Sequence, residues 1–247
     1  MDKTKMLEGK CAVITGGTSG IGRSAALALK AAGAKVIATG VSEKEVKAAL
    51  ADPAFAGIDA AVLNVAYDKD VNDFFAGLTR IDILINAAGI GGQGPGEFQA
   101  ESFANTLNIN LTGTLRACSA AKPLLQKQGG AIVNIASMMS FFGSATAPGY
   151  SASKGGVVQL TKSLAVAWAE LGIRVNAVAP GWIDTPMTKP LQDDPERNAR
   201  VLGRSPMKRW GRSEEIADGI FFLCSPLSSF VNGVVLPIDG GYLAVGM

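Results

Sequence analysis

Residues 11–22 read Cys-Ala-Val-Ile-Thr-Gly-Gly-Thr-Ser-Gly-Ile-Gly, and this stretch decides the fold. Cys11 to Thr15 is a short β-branched run, apolar on both faces, as a strand buried in a parallel sheet must be. Gly16-Gly17 ends it. Ile21 to Ala32 then reads as a helix rich in alanine and leucine, closed by Gly33. Gly16 permits a sharp turn off the strand. Gly20 lets a pyrophosphate approach backbone N–H groups, and Gly22 lets the helix pack close to the sheet. The helix N-terminus then faces an anion. A glycine pattern alone is weak, but one that follows a strand and opens a helix is a strong dinucleotide signal.

The same alternation continues outward. Strands are expected at Lys35–Thr39, Ala60–Val65, Asp82–Asn86, Ala131–Ala136, Arg174–Ala179 and Val234–Ile238. Helices are expected between them: one opened by the capping box of Ser42 and Glu45, then Asp70–Leu78, Glu101–Gln126, Gly149–Leu171 and Ser213–Cys224. Seven strands separated by helices imply an α/β fold, a doubly wound seven-stranded parallel sheet with helices on both faces. The chain of 247 residues reads as a single domain. The irregular stretch is 182–212, with Pro186, Pro190, Pro195 and Pro206. So long an excursion inside a compact domain reads as a substrate lid.

Composition narrows the chemistry. With 23 basic and 21 acidic residues the net charge is +2, and no basic run offers a nucleic-acid footprint. Histidine is absent, which excludes Ser-His and Cys-His triads and histidine metal sites. Cys11, Cys118 and Cys224 lie more than a hundred residues apart, without zinc-ligand spacing. They read as reduced, buried thiols of a cytoplasmic protein. No window approaches the length of a membrane span, and none reads as a signal peptide.

Tyr150 and Lys154 stand four apart at the start of a helix, on one face. A lysine ammonium beside a phenol favours the phenolate, and so equips Tyr150 as an acid–base group. Ser137 follows the fifth strand, at the carboxyl edge where ligands of open α/β sheets bind. It stands thirteen residues before Tyr150. Thr15-Gly-x-x-x-Gly20-x-Gly22, Asn86-Ala87-Ala88-Gly89 and Tyr150-x-x-x-Lys154 together resemble the short-chain dehydrogenase/reductase family. Pro180-Gly181 and Asp239-Gly240-Gly241 extend the resemblance over nearly the whole chain.

The resemblance implies a tetrad of Asn110, Ser137, Tyr150 and Lys154. Asn110 would bend its helix and hold a water bonded to the lysine. It implies hydride transfer between NAD or NADP and an alcohol or ketone, Tyr150 moving the proton. The cofactor would be bound by Gly16, Thr18, Ser19, Gly20, Ile21 and Gly22 of the turn, by Gly40 and Val41, and by Asn64 and Val65. Asn86, Ala87, Ala88 and Gly89, the tetrad pair, and Pro180, Gly181, Ile183 and Thr185 would complete the set. Asn64 stands where the family commonly has Asp for the adenine amino group, and its amide oxygen can accept that bond. Gly40 stands where NAD enzymes of the family usually carry Asp, and neither Ser19 nor Val41 is the Arg or Lys usual for NADP. Without a cation clamp NAD is favoured, though Arg23 and Lys44 lie close enough in sequence to reach a phosphate.

The short segment from Ala48 to Asp82 resembles the branch that includes hydroxybutyrate-type and deoxy-sugar-acid dehydrogenases. The resemblance places Arg204 near a substrate carboxylate, with Lys189, Arg197, Arg200, Lys208 and Arg209 competing for that role. Ser144, Thr146 and Gln93 offer hydrogen bonds to a polyhydroxyl chain. Phe141, Phe142 and Trp182 offer an apolar pocket instead. A small polar substrate such as a sugar acid, polyol or hydroxy acid is expected. A 3-oxoacyl-thioester reductase and a non-catalytic NAD(P)-binding regulator are the alternatives, and the family tendency is a homotetramer.

Overall fold

The structure, a computed structural model, describes residues 3–92 and 95–245. Its main sheet contains β1 (Cys11–Thr15), β2 (Lys35–Gly40), β3 (Asp59–Val62), β4 (Ile83–Asn86), β5 (Gly130–Ile135), β6 (Ile173–Pro180) and a last strand at Val235–Ile238. All pairings are parallel. From one edge the order is β3-β2-β1-β4-β5-β6 and then the last strand. Strand order reverses between β1 and β4, so a crevice opens there at the carboxyl ends of the strands.

The double burial of the strands follows from the period of two. Ala12, Ile14, Ile83, Ile85 and Val133 point into one apolar layer. Val13, Leu84 and Ile132 point into the other. The first layer is roofed by α1 (Gly20–Ala31) and by the helix Ser213–Cys224, through Ala25, Leu29, Ile216 and Ile220. The second is roofed by three helical segments. These are α3 (Asp68–Ala76), a long helical segment from Ala100 to Leu125, and the helix Pro148–Trp168, which supply Val71, Phe75, Ala117, Ala121, Leu164 and Trp168. The second helix, α2, runs Glu43–Leu50 beside the edge strand β3.

The segment expected as one uniform helix is divided. It comprises α4 (Ala100–Leu107), a π-helical turn (Asn108–Thr112) and α5 (Gly113–Leu125). Such turns free backbone groups within a helix and gather at functional sites. Here the side chain of Asn110 is committed outside its helix, and its carbonyl accepts from the Thr114 hydroxyl at 2.8 Å.

The excursion 182–212 is more ordered than its prolines suggest. After α6 (Pro148–Trp168), it holds β7 (Ile183–Asp184), α7 (Lys189–Gln192), α8 (Pro195–Arg204) and β8 (Gly211–Arg212). Then follow α9 (Ser213–Cys224) and β9 (Val235–Ile238), the last helix and strand described above. Pro195 sits in the first turn of α8, where its missing N–H is not needed, and Asp194 caps the Glu196 and Arg197 amides at 3.1 Å. β7 and β8 pair through Ile183 and Gly211, so both ends of the excursion are pinned together.

Two buried polar groups hold the sheet's register. Asn86 donates to Asn134 at 2.9 Å, and Asn134 donates to Thr161 at 2.9 Å, tying β4 to β5 and α6. At the opposite end of the sheet Asp82 is 3% exposed. It accepts from the Cys11 amide at 2.9 Å and from Arg80 at 2.7 and 2.9 Å, with Lys10 at 3.3 Å. Burial works to raise its pKa, but Arg80, the Cys11 amide and Lys10 together hold it below the ordinary carboxylate value. That stabilisation is complete above the unfolded-state pKa and is lost as pH falls through the lower folded value. Asp82→Asn should therefore lower stability at neutral pH by about 1–3 kcal/mol, with a smaller deficit in acid. Urea unfolding at both pH values checks this.

Candidate active site

Gly16, with φ +64°, turns the chain off β1 directly against the segment after β4. A Cβ there would lie 2.7 Å from Ala88 backbone atoms, so a side chain would force the two strand ends apart. Thr15 secures the same junction, its hydroxyl accepting from the Ala88 amide at 3.3 Å. Gly22 has a different reason from the one expected. Its Cβ would lie 2.2 Å from the Gly16 carbonyl oxygen, so at this residue the first turn of the helix packs on the glycine turn. Ser19, which precedes α1, makes no side-chain cap, and the first turn of α1 holds no acidic residue. Its first amides therefore face the groove free of a side-chain cap, which suits phosphate.

The groove has a volume of about 380 Å³. It is lined by Gly16, Thr18, Ser19, Gly20, Ile21 and Gly22, then by Val41, Asn64, Val65, Ala87, Ala88 and Gly89, and at one end by Tyr150, Lys154 and Thr185. It is also lined by Glu45, Ile109, Ile135 and Met187, none of which the sequence assigned to the cofactor. The cradle of glycines and the uncapped helix fit a dinucleotide.

Several expected cofactor residues lie elsewhere. Asn86 is 3% exposed and turned into the interior network with Asn134 and Cys118. Ile183 is buried in the core layer of α1 and α9. Pro180 ends β6, and Gly181 packs against Asp239 and lines a neighbouring pocket. Gly40 lies beneath Thr18 and Glu45. Asn64 lines the groove, with its amide oxygen accepting from the Ala66 amide at 3.0 Å and one lone pair left over.

The tetrad residues converge from three elements. Ser137 follows β5, and its hydroxyl accepts from the Met139 amide at 3.1 Å on the side of the Tyr150 phenol, whose ionised form it favours. Lys154 is 6% exposed, and its Nζ donates to the Ile135 carbonyl at 2.7 Å, 5.7 Å from the Tyr150 ring centre. Asn110 grips Ile90 twice. Its Oδ1 accepts from the Ile90 amide at 2.8 Å and its Nδ2 donates to the Ile90 carbonyl at 2.9 Å. That clamp fixes the strand that carries Gly89 beside the lysine.

Two serines interlock the group, and the sequence reading passed over both. The Ser140 hydroxyl accepts from the Ser137 amide at 3.2 Å and donates to the Lys154 carbonyl at 2.8 Å. Ser153 donates to the Tyr150 carbonyl at 2.8 Å and accepts from Asn110 at 3.1 Å. The spacing Ser137-x-x-Ser140 is that of a capping box, a signal that could have found the first.

The electrostatics correct one expectation. Burial pushes the Tyr150 phenol above its ordinary pKa, and the Ser137 hydrogen bond only partly offsets this. Burial also pushes the Lys154 ammonium down to about 8. Lys154 alone therefore does not make Tyr150 a phenolate, because the same desolvation that raises the phenol also weakens the lysine's hold on its proton.

Arg204 is not where the resemblance put it. Its guanidinium lies 4.5 Å from the Tyr242 ring centre and 5.1 Å from that of Phe142. It fastens the end of α8 to the C-terminal turn by cation–π contact. The pocket beside Ser137 and Tyr150, of about 290 Å³, is lined instead by Arg197 and Arg200 of α8. Ser144, Thr146 and Trp182 line it as expected, whereas Phe142 lies under Arg204 and Phe141 is exposed. Gln93 lies outside the described residues.

A family model described as enoyl-(acyl carrier protein) reductase matches residues 16–243. The chain belongs to the short-chain dehydrogenase/reductase family. It is 40% identical over 244 residues to the 2-dehydro-3-deoxy-D-gluconate 5-dehydrogenase of Bacillus subtilis, covering 96% of each chain. It is 39% identical to the 3-oxoacyl-(acyl carrier protein) reductase of Thermotoga maritima, covering 95% of this chain and 98% of that one. Among solved structures, a gluconate 5-dehydrogenase from Burkholderia cenocepacia, in complex with NADP and tartrate, superposes with a TM-score of 0.91. It is 33% identical, with 99% of each chain covered. This dehydrogenase/reductase is an NAD(P)-dependent oxidoreductase acting on the CH–OH group of a secondary alcohol or on the corresponding ketone. No helix among its described residues is long and apolar enough to cross a membrane.

Two predictions follow from the geometry. Tyr150→Phe keeps the ring and removes the hydroxyl expected to move the proton, so kcat should fall by about 10²-fold or more. The Kd for nicotinamide dinucleotide, measured by calorimetry, should stay within about twofold. Arg204→Ala should lower stability by about 0.5–1 kcal/mol and reduce turnover of acidic and neutral alcohols alike. A KM increase confined to acidic substrates would return Arg204 to the substrate site.

Proposed function

We propose that this enzyme oxidises a small sugar acid, or reduces the matching keto acid, at a secondary carbon. The observation that carries the reading is the pocket beside Ser137 and Tyr150. Arg197 and Arg200 line its outer wall, and no acidic residue is among its described lining residues. A carboxylate entering there meets two cations. Arg200 is held by Glu196 at 2.8 Å in an exposed pair, a contact weak enough to exchange for a substrate. Ser144 and Thr146 on the facing side supply hydroxyls for a polyol chain. The Bacillus relative is named for a deoxy-sugar acid and the Burkholderia structure holds tartrate, a small hydroxy diacid.

In this reading Ser137 and Tyr150 hold the reacting oxygen, and Tyr150 moves its proton. Lys154 sits against the ribose side of the groove and returns the proton to Tyr150, while Asn110, Ser140 and Ser153 fix the positions of the three. When bound, the nicotinamide supplies or accepts the hydride. Asn110 also stands at the inner end of the proton route. NAD is preferred to NADP, because the described adenosine end of the groove is lined by no lysine or arginine. Arg23 is bonded to Asp52 and lies over the Phe55 ring, away from the groove.

The working form is a cytoplasmic homotetramer. Exposed Leu115 and Val166 on α5 and α6, and Phe222, Leu227 and Phe230 near the β9 edge, offer apolar surface for association. The Thermotoga relative keeps 3-oxoacyl-thioester reduction as the second reading.

Arg200→Ala and Arg197→Ala should each raise KM for a sugar acid by about ten- to a hundredfold, a charge-assisted contact of about 1.5–3 kcal/mol. A neutral polyol of the same length should change little. Steady-state kinetics on gluconate-type acids, polyols and a 3-oxoacyl thioester decide the matter. Preference for the thioester would overturn the reading.

A further inference from the structure

We propose that Glu45 selects the cofactor, reading the adenosine ribose diol and rejecting a 2′-phosphate. The inference rests on the groove being the dinucleotide site. At the end of the groove away from Tyr150, β2 finishes at Gly40, the position at which an acidic side chain would be looked for. Gly40 has no side chain, yet a carboxylate is delivered to the same place from the next helix. A Cβ on Gly40 would lie 3.1 Å from Glu45 Oε2 and 2.9 Å from Thr18 Oγ1. Glu45 lines the groove beside Thr18, Val41 and Asn64.

The local sequence explains how it gets there. Ser42 caps α2 by accepting from the Glu45 amide at 3.3 Å. In a full capping box the Glu45 carboxylate would return to the Ser42 amide. It reaches one residue further, to the Val41 amide at 3.1 Å. The other carboxylate oxygen has no such anchor and can accept from ribose hydroxyls. Two hydroxyls of a ribose suit an acceptor-only group, and a phosphate there would meet like charge. No lysine or arginine lines this end among the described residues to offset the repulsion. The residue reads as an ordinary helix cap in the sequence, which is why its second role is hidden there.

The same geometry bears on Gly40. An aspartate at Gly40 would press on Thr18 and Glu45, so Gly40→Asp adds a competing charge and no new ribose contact.

The test uses nucleotide binding alone, by calorimetry on the intact enzyme with NAD+ and NADP+, so a mistaken substrate class cannot affect it. The wild type should bind NAD+ at least about tenfold tighter than NADP+, with the ratio shrinking as salt is raised. Glu45→Gln keeps an acceptor for the Val41 amide and removes the charge. It should shift the ratio towards NADP+ by about tenfold, with the thermal unfolding midpoint unchanged. Glu45→Ala should shift the ratio in the same direction even if the lost cap lowers that midpoint. Equal binding of the two nucleotides by the wild type, or an unchanged ratio in Glu45→Gln, would overturn the proposal. Failure to bind either nucleotide would overturn the groove assignment and this proposal together.

Discussion

The rest of the molecule depends on the close approach of two strand ends, β1 at Gly16 and β4 at Ala88. Their backbones are near enough that a single Cβ on residue 16 would meet backbone at 2.7 Å. This is where strand order reverses, and the reversal opens the crevice that becomes the cofactor groove. The segment after β4 then continues to Ile90, where Asn110 holds it from the far side. The contact thus ties the phosphate-binding turn to the π-helical break, and the break to Ser153 and Tyr150 of α6.

That linkage explains the use of rigid polar contacts at the site. Asn110, Ser140 and Ser153 are each satisfied by backbone or by one another, so Tyr150 and Lys154 inherit fixed positions from three different elements. The same burial that fixes them has an electrostatic consequence. It raises the phenol and lowers the ammonium to about 8, so burial separates their proton affinities and leaves the phenol holding its proton more firmly than the lysine does.

In the proposed reading specificity lies on either side of this centre. Glu45 of α2 lines the far end of the groove, and Arg197 and Arg200 of α8 line the neighbouring pocket beside Ser137 and Tyr150. Both helices follow the carboxyl ends of strands, where loops and short helices vary without disturbing the sheet.

Much of this was legible in the sequence. The seven strands and the glycine turn follow from short β-branched apolar runs and from backbone geometry, both local properties of the chain. The spacing of Tyr150 and Lys154 likewise places them on one helical face without any tertiary information. The role of Arg204 was not legible, because seven basic residues share one excursion and only packing decides which meets an aromatic ring and which lines a pocket. Nor was the inward turn of Asn86, whose partners Cys118 and Asn134 are distant in sequence. The sequence by itself determined the sheet, the turn and the pairing of Tyr150 with Lys154, since each is set by neighbours a few residues apart. Only the tertiary structure decided the pocket's cations, the interlocking serines and the carboxylate beside Gly40, because each depends on which side chains from separate elements are brought within a few ångströms.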